Sequence, residues 1–295
     1  MFEKYKGVLL VVASAAGFGT LAVFMKFAYA AGANAVTILA FRFFLAAAIF
    51  WAVIIVRKRK LEADRDVILR SLAMGGIGYG AMSSLFASTV QILPASLAGL
   101  LLYTYPAQVS IISFLIGDDR FTWQKGLALG ICFSGLLLVL DASFDQASMN
   151  GLVLGLSAAL VYSVYIVVGN RLIKRADALE TTTLVCTAAA FVFGLFGTVS
   201  GQLMLRLPME GWVAIGGIAI FGTVIAILTF FAGMSHVGAS NASIISTFEP
   251  VVTVILSWLF LAETINGLQI AGGALILAGV LVLQMNFSSG EKAEG

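Results

Sequence analysis

Charge is what this sequence has least of. Asp, Glu, Lys and Arg make up 11% of its 295 residues, where a soluble globular chain carries about 25%. With 60% hydrophobic residues and a mean hydropathy of +1.03, the chain reads as an integral membrane protein. It has one histidine and two cysteines, Cys132 and Cys186, without ligand-like spacing, so neither a metal site nor a disulfide framework is expected. Long polar stretches are missing too, which excludes an inserted soluble domain, and with it a nucleotide-binding domain that would let ATP drive the protein. The glycine-rich "GGIGYG" at Gly75–Gly80 lies inside an apolar run with no strand before it and no lysine after it. It therefore fails as a phosphate loop, and no cofactor is expected.

What is present is a succession of apolar runs. Ten can be drawn, at residues 7–30, 34–56, 69–92, 95–116, 123–140, 151–172, 181–205, 211–235, 239–261 and 265–285. Crossing the hydrocarbon takes roughly 20 mostly apolar residues per helix, so an all-α protein of ten transmembrane helices is expected. The first run continues to Tyr29, longer than the about 7–15 apolar residues of a cleaved leader, and is expected to stay as the first helix. If the runs alternate in direction, Lys4, Lys6, Arg57–Lys60, Arg65, Arg70, Arg120, Lys125, Arg171, Lys174, Arg175 and Lys292 all fall on one side. Only Arg206 falls on the other. By the positive-inside rule that side, with both termini, is cytoplasmic, and the expected location is the plasma (cytoplasmic) membrane.

Sliding the chain against itself by 144 positions brings rare residues into register. Pro106 falls on Pro250 and Asp119 on Glu263, and Gly7, Gly78 and Gly135 fall on Gly151, Gly222 and Gly279. Only four prolines exist, and two coincide, each thirteen residues before an acid that closes a helix. Two copies of five spans are expected, over residues 1–141 and 142–286, with 287–295 as a short cytoplasmic tail. An odd number of spans per copy starts the second on the opposite side, making inverted repeats of the kind found in many secondary transporters.

The segments "LYTYPAQVSIISFLIGDDRFTWQKGLALGICFSGLLLVL" and "STFEPVVTVILSWLFLAETINGLQIAGGALILAGVLVL" resemble the two copies of the EamA-type domain of the drug/metabolite transporter superfamily. So does the arginine early in the second helix, within "FRFFLAA" around Arg42. The resemblance covers nearly the whole chain. It implies ten helices in two inverted five-helix repeats and the export or import of small organic solutes. One departure is the pair Asp118–Asp119, where the family pattern has "GE" after the fourth helix.

Glu249 stands out among the candidate residues. Its nearest ionisable neighbours in sequence are His236, thirteen positions before, and Glu263, fourteen after. A charged carboxylate at helix centre costs about 2.5–3.5 kcal/mol on insertion scales, so it should face protein or water. Pro250 follows and cannot donate to the carbonyl of Ser246, so the helix is expected to bend there. Pro106 is the corresponding bend. Glu249 is thus a candidate proton carrier or partner for a cationic substrate group, or else a hydrogen-bonded structural acid. Arg42, about 12 Å below the surface by helix rise, should pair with carbonyls or Glu249, or bind a substrate carboxylate. Lys26, near a helix end, can snorkel; Asp119 and Glu263 are expected to tie helix ends. Phe18, Tyr79, Tyr103, Tyr105, Tyr162 and Tyr165 lie inside spans, and a deep tyrosine needs a partner for its hydroxyl. They suit a cavity for an amphipathic or aromatic solute, although ordinary packing also accommodates them.

Three function classes compete. A secondary or facilitative transporter working by alternating access fits the repeats, with amino acids, other metabolites or drug-like compounds as solutes, export as the direction and protons as a coupling ion. A channel-like facilitator would need a filter or a ring of charges, which the chain lacks unless assembly creates one. An intramembrane enzyme would need clustered catalytic groups; His236 has only Ser235 beside it. The expected partners are a small-molecule substrate, the lipid bilayer and protons, without nucleic acid, in a monomer or homodimer.

Overall fold

The computed structural model describes residues 2–59, 62–93, 95–140, 148–261 and 266–290, and all of its regular structure is helical. Glu263, the expected junction at residues 141 and 142, and residues 291–295 of the tail lie outside this set.

Polar caps decide where the helices begin. α1 (Phe2–Ala30) ends before Gly32, whose φ of +86° is a left-handed turn that favours glycine. α2 (Ala35–Val56) starts where the Asn34 side chain accepts the Thr37 N–H at 2.8 Å. Asp64 caps α3 (Arg65–Ala73), and a wide π-type turn, Met74–Gly78, leads into α4 (Tyr79–Ile92). α5 (Ala95–Leu102) and α6 (Tyr105–Leu115) are separated by a short break, and α7 (Trp123–Leu140) follows. Ser148 caps α8 (Met149–Leu172) and Asp177 caps α9 (Ala178–Val199). α10 (Met209–Ala219) passes through a second π-type turn, Ile220–Ile225, into α11 (Ala226–Val237). α12 (Ala239–Ile245), a tight turn at Ser246–Phe248 and α13 (Glu249–Leu261) precede α14 (Gly267–Gly290).

The edges differ from hydropathy where polar groups intervene. The third helical stretch begins at Arg65 rather than residue 69, because Asp64 caps it. α9 runs 178–199 rather than 181–205: Asp177 starts it early, and a turn at Gly201 (φ +67°) stops it. Beyond that turn the Gln202 carbonyl accepts from Asn34 Nδ2 at 2.7 Å. Among the described residues, seven helical stretches are long and apolar enough to cross a membrane: Tyr5–Ala30, Ala35–Val56, Trp123–Leu140, Met149–Leu172, Ala178–Val199, Met209–Val237 and Ala239–Leu261. Gly99–Leu115 and Gly267–Leu283 are shorter apolar helices.

The backbone irregularities recur at the 144-residue offset. The break at Tyr103–Thr104 falls on the turn at Ser246–Phe248, and the first π-type turn overlaps the second. Packing recurs as well. α1 lies against α11 and α13, and its counterpart α8 lies against α4 and α6. Equivalent helices meet each other antiparallel. In one such pair, Trp51 Nε1 of α2 donates to Thr187 of α9 at 3.0 Å, while Thr37, nearer the start of α2, reaches Gln202 beyond the end of α9. In the other, Gly135 of α7 abuts Gly272 and Ile276 of α14, and Gly279 abuts Ala128 and Cys132. These glycines bring the backbones into contact: a Cβ on Gly135 would lie 2.6 Å from the Gly272 carbonyl oxygen, and one on Gly75 2.1 Å from that of Val185.

Arg42 is buried and fastens the second π-type turn. Its Nε donates to Thr223 Oγ1 at 3.1 Å and its Nη2 to the Gly222 carbonyl at 3.3 Å, with the guanidinium 4.7 Å from the Phe43 ring centroid. A π-type turn leaves carbonyls outside the regular ladder, and here a charge-assisted donor takes one.

One end of the bundle is joined by ion pairs. Arg175 binds Asp64 at 2.7 Å and Asp66 at 2.5 Å, Arg171 binds Asp118 at 2.8 Å, and Arg59 pairs with Asp177. Each pair unites residues from opposite sides of the junction. The hydrogen bond from Arg171 holds Asp118 below the usual carboxylate range. A carboxylate lowered in the fold keeps its partner at neutral pH and loses it only under acid. Asp119 binds the buried Lys125 at 2.6 Å, tying the start of α7 to the loop before it.

Gly75→Ala and Gly135→Ala should each destabilise the protein by about 1–3 kcal/mol through overpacking. Gly130→Ala, where a Cβ would meet nothing within 4 Å, should not; thermal denaturation in detergent reads the difference. Arg42→Met and Thr223→Val should each cost about 1–3 kcal/mol. The double variant should cost less than their sum, because both remove one interaction.

Candidate functional site

Two helix breaks face each other across the interior. On α13 the tight turn lets the Glu249 N–H reach the Ser246 carbonyl, so that carbonyl keeps a partner despite Pro250. The bend expected from the proline is thus a local tightening that starts a new helix at Glu249. Pro106 stands at the second position of α6, directly after Tyr105. Neither proline lines the cavity between the breaks. Each sets the direction of the residue before it.

Those preceding residues, Glu249 and Tyr105, enclose a cavity of about 120 Å³. Around it stand Phe18 and Leu21 of α1, Tyr79 and Met82 of α4, Leu102 of α5, and Tyr103 from the break. Tyr105 of α6, Tyr162 and Tyr165 of α8, Ile227, Phe230 and Phe231 of α11, and Glu249 of α13 complete the wall. Both sequence halves contribute. The 144-residue offset pairs Phe18 with Tyr162, Leu21 with Tyr165 and Tyr105 with Glu249, so the cavity lies where the two copies meet.

Aromatic rings dominate the wall and support one another. Tyr105 and Tyr162 meet edge-on at 4.8 Å between centroids, Tyr162 and Tyr165 stack at 6.0 Å, and Tyr79 meets Tyr165 at 6.3 Å. The Tyr103 hydroxyl is directed at the Glu249 carboxyl group, and that of Tyr105 lies 3.5 Å from the Ser243 carbonyl. A phenol beside a carboxylate can donate a charge-assisted hydrogen bond to it.

From this cavity α6 leads toward the ion-paired end, and its contact with α12 is polar. Ser110 and Ser240 hydroxyls meet at 2.7 Å. Ser113 Oγ, Asn241 Oδ1 and Ser246 Oγ are buried with no protein hydrogen-bond partner. An interface of this kind has less to lose on hydration than an apolar one.

Seven residues singled out in the sequence therefore converge: Phe18, Tyr79, Tyr103, Tyr105, Tyr162, Tyr165 and Glu249. Arg42 and Lys26 do not line the cavity. Leu21, Met82, Leu102, Ile227, Phe230 and Phe231 escaped the sequence reading, since an apolar side chain in an apolar span carries no local signal. Leu21 had one, as the counterpart of Tyr165.

Comparison with known proteins gives the chain its family. The model of the EamA-like transporter family matches twice, over residues 5–141 and 149–285. The chain is 26% identical over 251 residues to the uncharacterized transporter YyaM of Bacillus subtilis, covering 82% of each. It is 27% identical over 281 residues to an uncharacterized transporter of Archaeoglobus fulgidus, covering 94% of this chain and 95% of the relative. A solved crystal structure shares the fold with a TM-score of 0.81, over 95% of this chain and 96% of its own, at 19% identity. The protein is a multi-pass membrane protein whose relatives are named as transporters, and it belongs to the EamA-like transporter family.

Proposed function

We propose that this protein is a secondary transporter that moves small organic solutes through the cavity beneath Glu249 by alternating access. Ten spans carry it: the seven long helical stretches, the two shorter ones and residues 65–92. They form two inverted five-helix copies with both termini in the cytoplasm. The antiparallel contact of equivalent helices, α2 with α9 and α7 with α14, supports the inversion. The basic residues at the ion-paired end support its cytoplasmic placement. Export is the direction we propose, and substrate or proton gradients are the available drive.

The observation that carries the reading is a two-sided cavity with one carboxylate at the meeting of the copies. None of the ion-paired residues lines it, so a layer of structure separates it from the charged end. Opening that end requires Arg175, Arg171 and Arg59 to leave their partners and the serine-lined contact of α6 and α12 to part. Exposed ion pairs are weak, about 0–1 kcal/mol each, which suits a latch that must release. A channel-like facilitator, the second reading, would need a continuous path, and no charged ring or filter lines this cavity. In the transporter, Glu249 serves as proton carrier, exchanging a proton for solute on each cycle.

Proteoliposomes loaded with labelled small aromatic solutes test this. Flux should saturate, and a pH gradient should accelerate it; Glu249→Gln should reduce that acceleration at least tenfold. Acceleration that survives the substitution would remove the proton-carrier role while leaving transport standing. Asp66→Cys with Arg175→Cys, bridged through disulfides by a bis-methanethiosulfonate reagent, should stop flux, and reductant should restore it. Unimpeded flux in the bridged protein would show that the charged end does not open.

A further inference from the structure

We infer that the cavity selects a small organic monocation, an aromatic or lipophilic amine or quaternary ammonium, over anions and zwitterions. The inference rests on the transport reading of the same cavity and names its substrate class.

Charge complementarity is the first argument. Among the described residues, the lining contains one carboxylate, Glu249, and no cationic side chain. Arg42, the deep arginine that could have received a carboxylate, does not line the cavity and donates instead to Thr223 and the Gly222 carbonyl of the π-type turn. A carboxylate-bearing solute would therefore meet Glu249 with nothing to offset the repulsion, in a site where water screens little. An amino acid would satisfy Glu249 through its ammonium and strand its own carboxylate. Solutes of these two kinds are disfavoured by the same absence.

Ring chemistry is the second. Eight of the thirteen lining residues are aromatic, among them Tyr105, Tyr162 and Tyr165, which meet edge-on or stacked. Their faces carry negative electrostatic potential, and cages of this composition recognise quaternary ammonium groups. A hard metal cation fits poorly, because it needs six or so oxygen ligands to replace its hydration shell. Glu249 is the one carboxylate in the described lining, and the other side-chain oxygens there are tyrosine hydroxyls. An organic cation carries its charge in a weakly hydrated, apolar body and needs no such shell.

Valence and size follow from the same geometry. The counterpart of Glu249 in the first copy is Tyr105, so the meeting point holds one negative charge rather than two. One positive charge balances it, and two would not. The volume of about 120 Å³ equals about four water molecules at roughly 30 Å³ each. That admits a substituted ammonium head, with any aromatic tail requiring Phe18, Leu21 and Met82 to give way.

Binding of labelled benzyltrimethylammonium to the purified, detergent-solubilised protein tests the inference. Phenylalanine, phenylacetate and the uncharged carbon isostere neopentylbenzene serve as competitors. The quaternary cation should bind at least tenfold more tightly than each of the three. Glu249→Gln should weaken it at least tenfold and Glu249→Asp less, with unchanged elution and thermal profiles showing both variants folded. Equal or better competition by phenylalanine or phenylacetate overturns the inference, as does cation binding within twofold of normal in Glu249→Gln. Flux of the same compounds in proteoliposomes separates the two readings. Movement of phenylalanine or phenylacetate but not the cation, blocked by Phe18→Trp, sinks the charge preference and leaves the transporter. Neither binding nor flux of any compound overturns both.

Discussion

A helix crossing a bilayer has no water to complete its hydrogen bonds, so every departure from regular geometry must find its partner inside the protein. The fold is organised around meeting that demand at a few places. Thr223 and Arg42 close one π-type turn, and Arg42 reaches it from a different helix of the other copy. The Glu249 N–H satisfies the carbonyl that Pro250 cannot serve. These compensated irregularities surround the cavity. The remaining spans are regular and pack through glycines, with backbone against backbone and little polar chemistry.

That division explains what was legible beforehand. Helix positions were readable because twenty apolar residues between charged loops have one stable fate in lipid. The duplication was readable because Pro106 and Pro250 are rare and constrained by the same backbone break. Helix starts were missed by a few residues where Asp64 and Asp177 cap, since a cap is a local hydrogen bond that hydropathy averages away. Within the site, Glu249 announced itself by the cost of placing it there, and the tyrosines by hydroxyls that require partners. Phe230 and Phe231 announced nothing: side chains with no polar atom are equally at home facing lipid, core or cavity. Arg42 shows the limit of reasoning from cost alone. Its depth demanded a partner, but only the fold could choose between a substrate and a backbone carbonyl.

The distribution of polarity also suggests how the molecule can move. Apolar helix contacts in a bilayer lose little by exchanging a helix for lipid, whereas close glycine contacts depend on backbone fit. The α7–α14 and α2–α9 pairs are held by that fit or by specific hydrogen bonds. By contrast, the α6–α12 contact carries hydroxyls and an amide with unused hydrogen-bonding capacity, and the ion pairs beyond it are largely exposed. Rigid seams and yielding seams therefore occupy different places in the bundle.

The two copies share a backbone but not their chemistry. Where the first has Arg42 the second has Cys186, and where the second has Glu249 the first has Tyr105. A carrier made of identical halves would dwell equally in its two mirror-related postures. Here a guanidinium fastens the second π-type turn while its counterpart in the other copy is Cys186, so under the proposed mechanism the two postures would differ in energy. Under the proposed alternating access, an empty molecule would idle facing one compartment, and part of each cycle's driving force would go into lifting it out of that preferred pose.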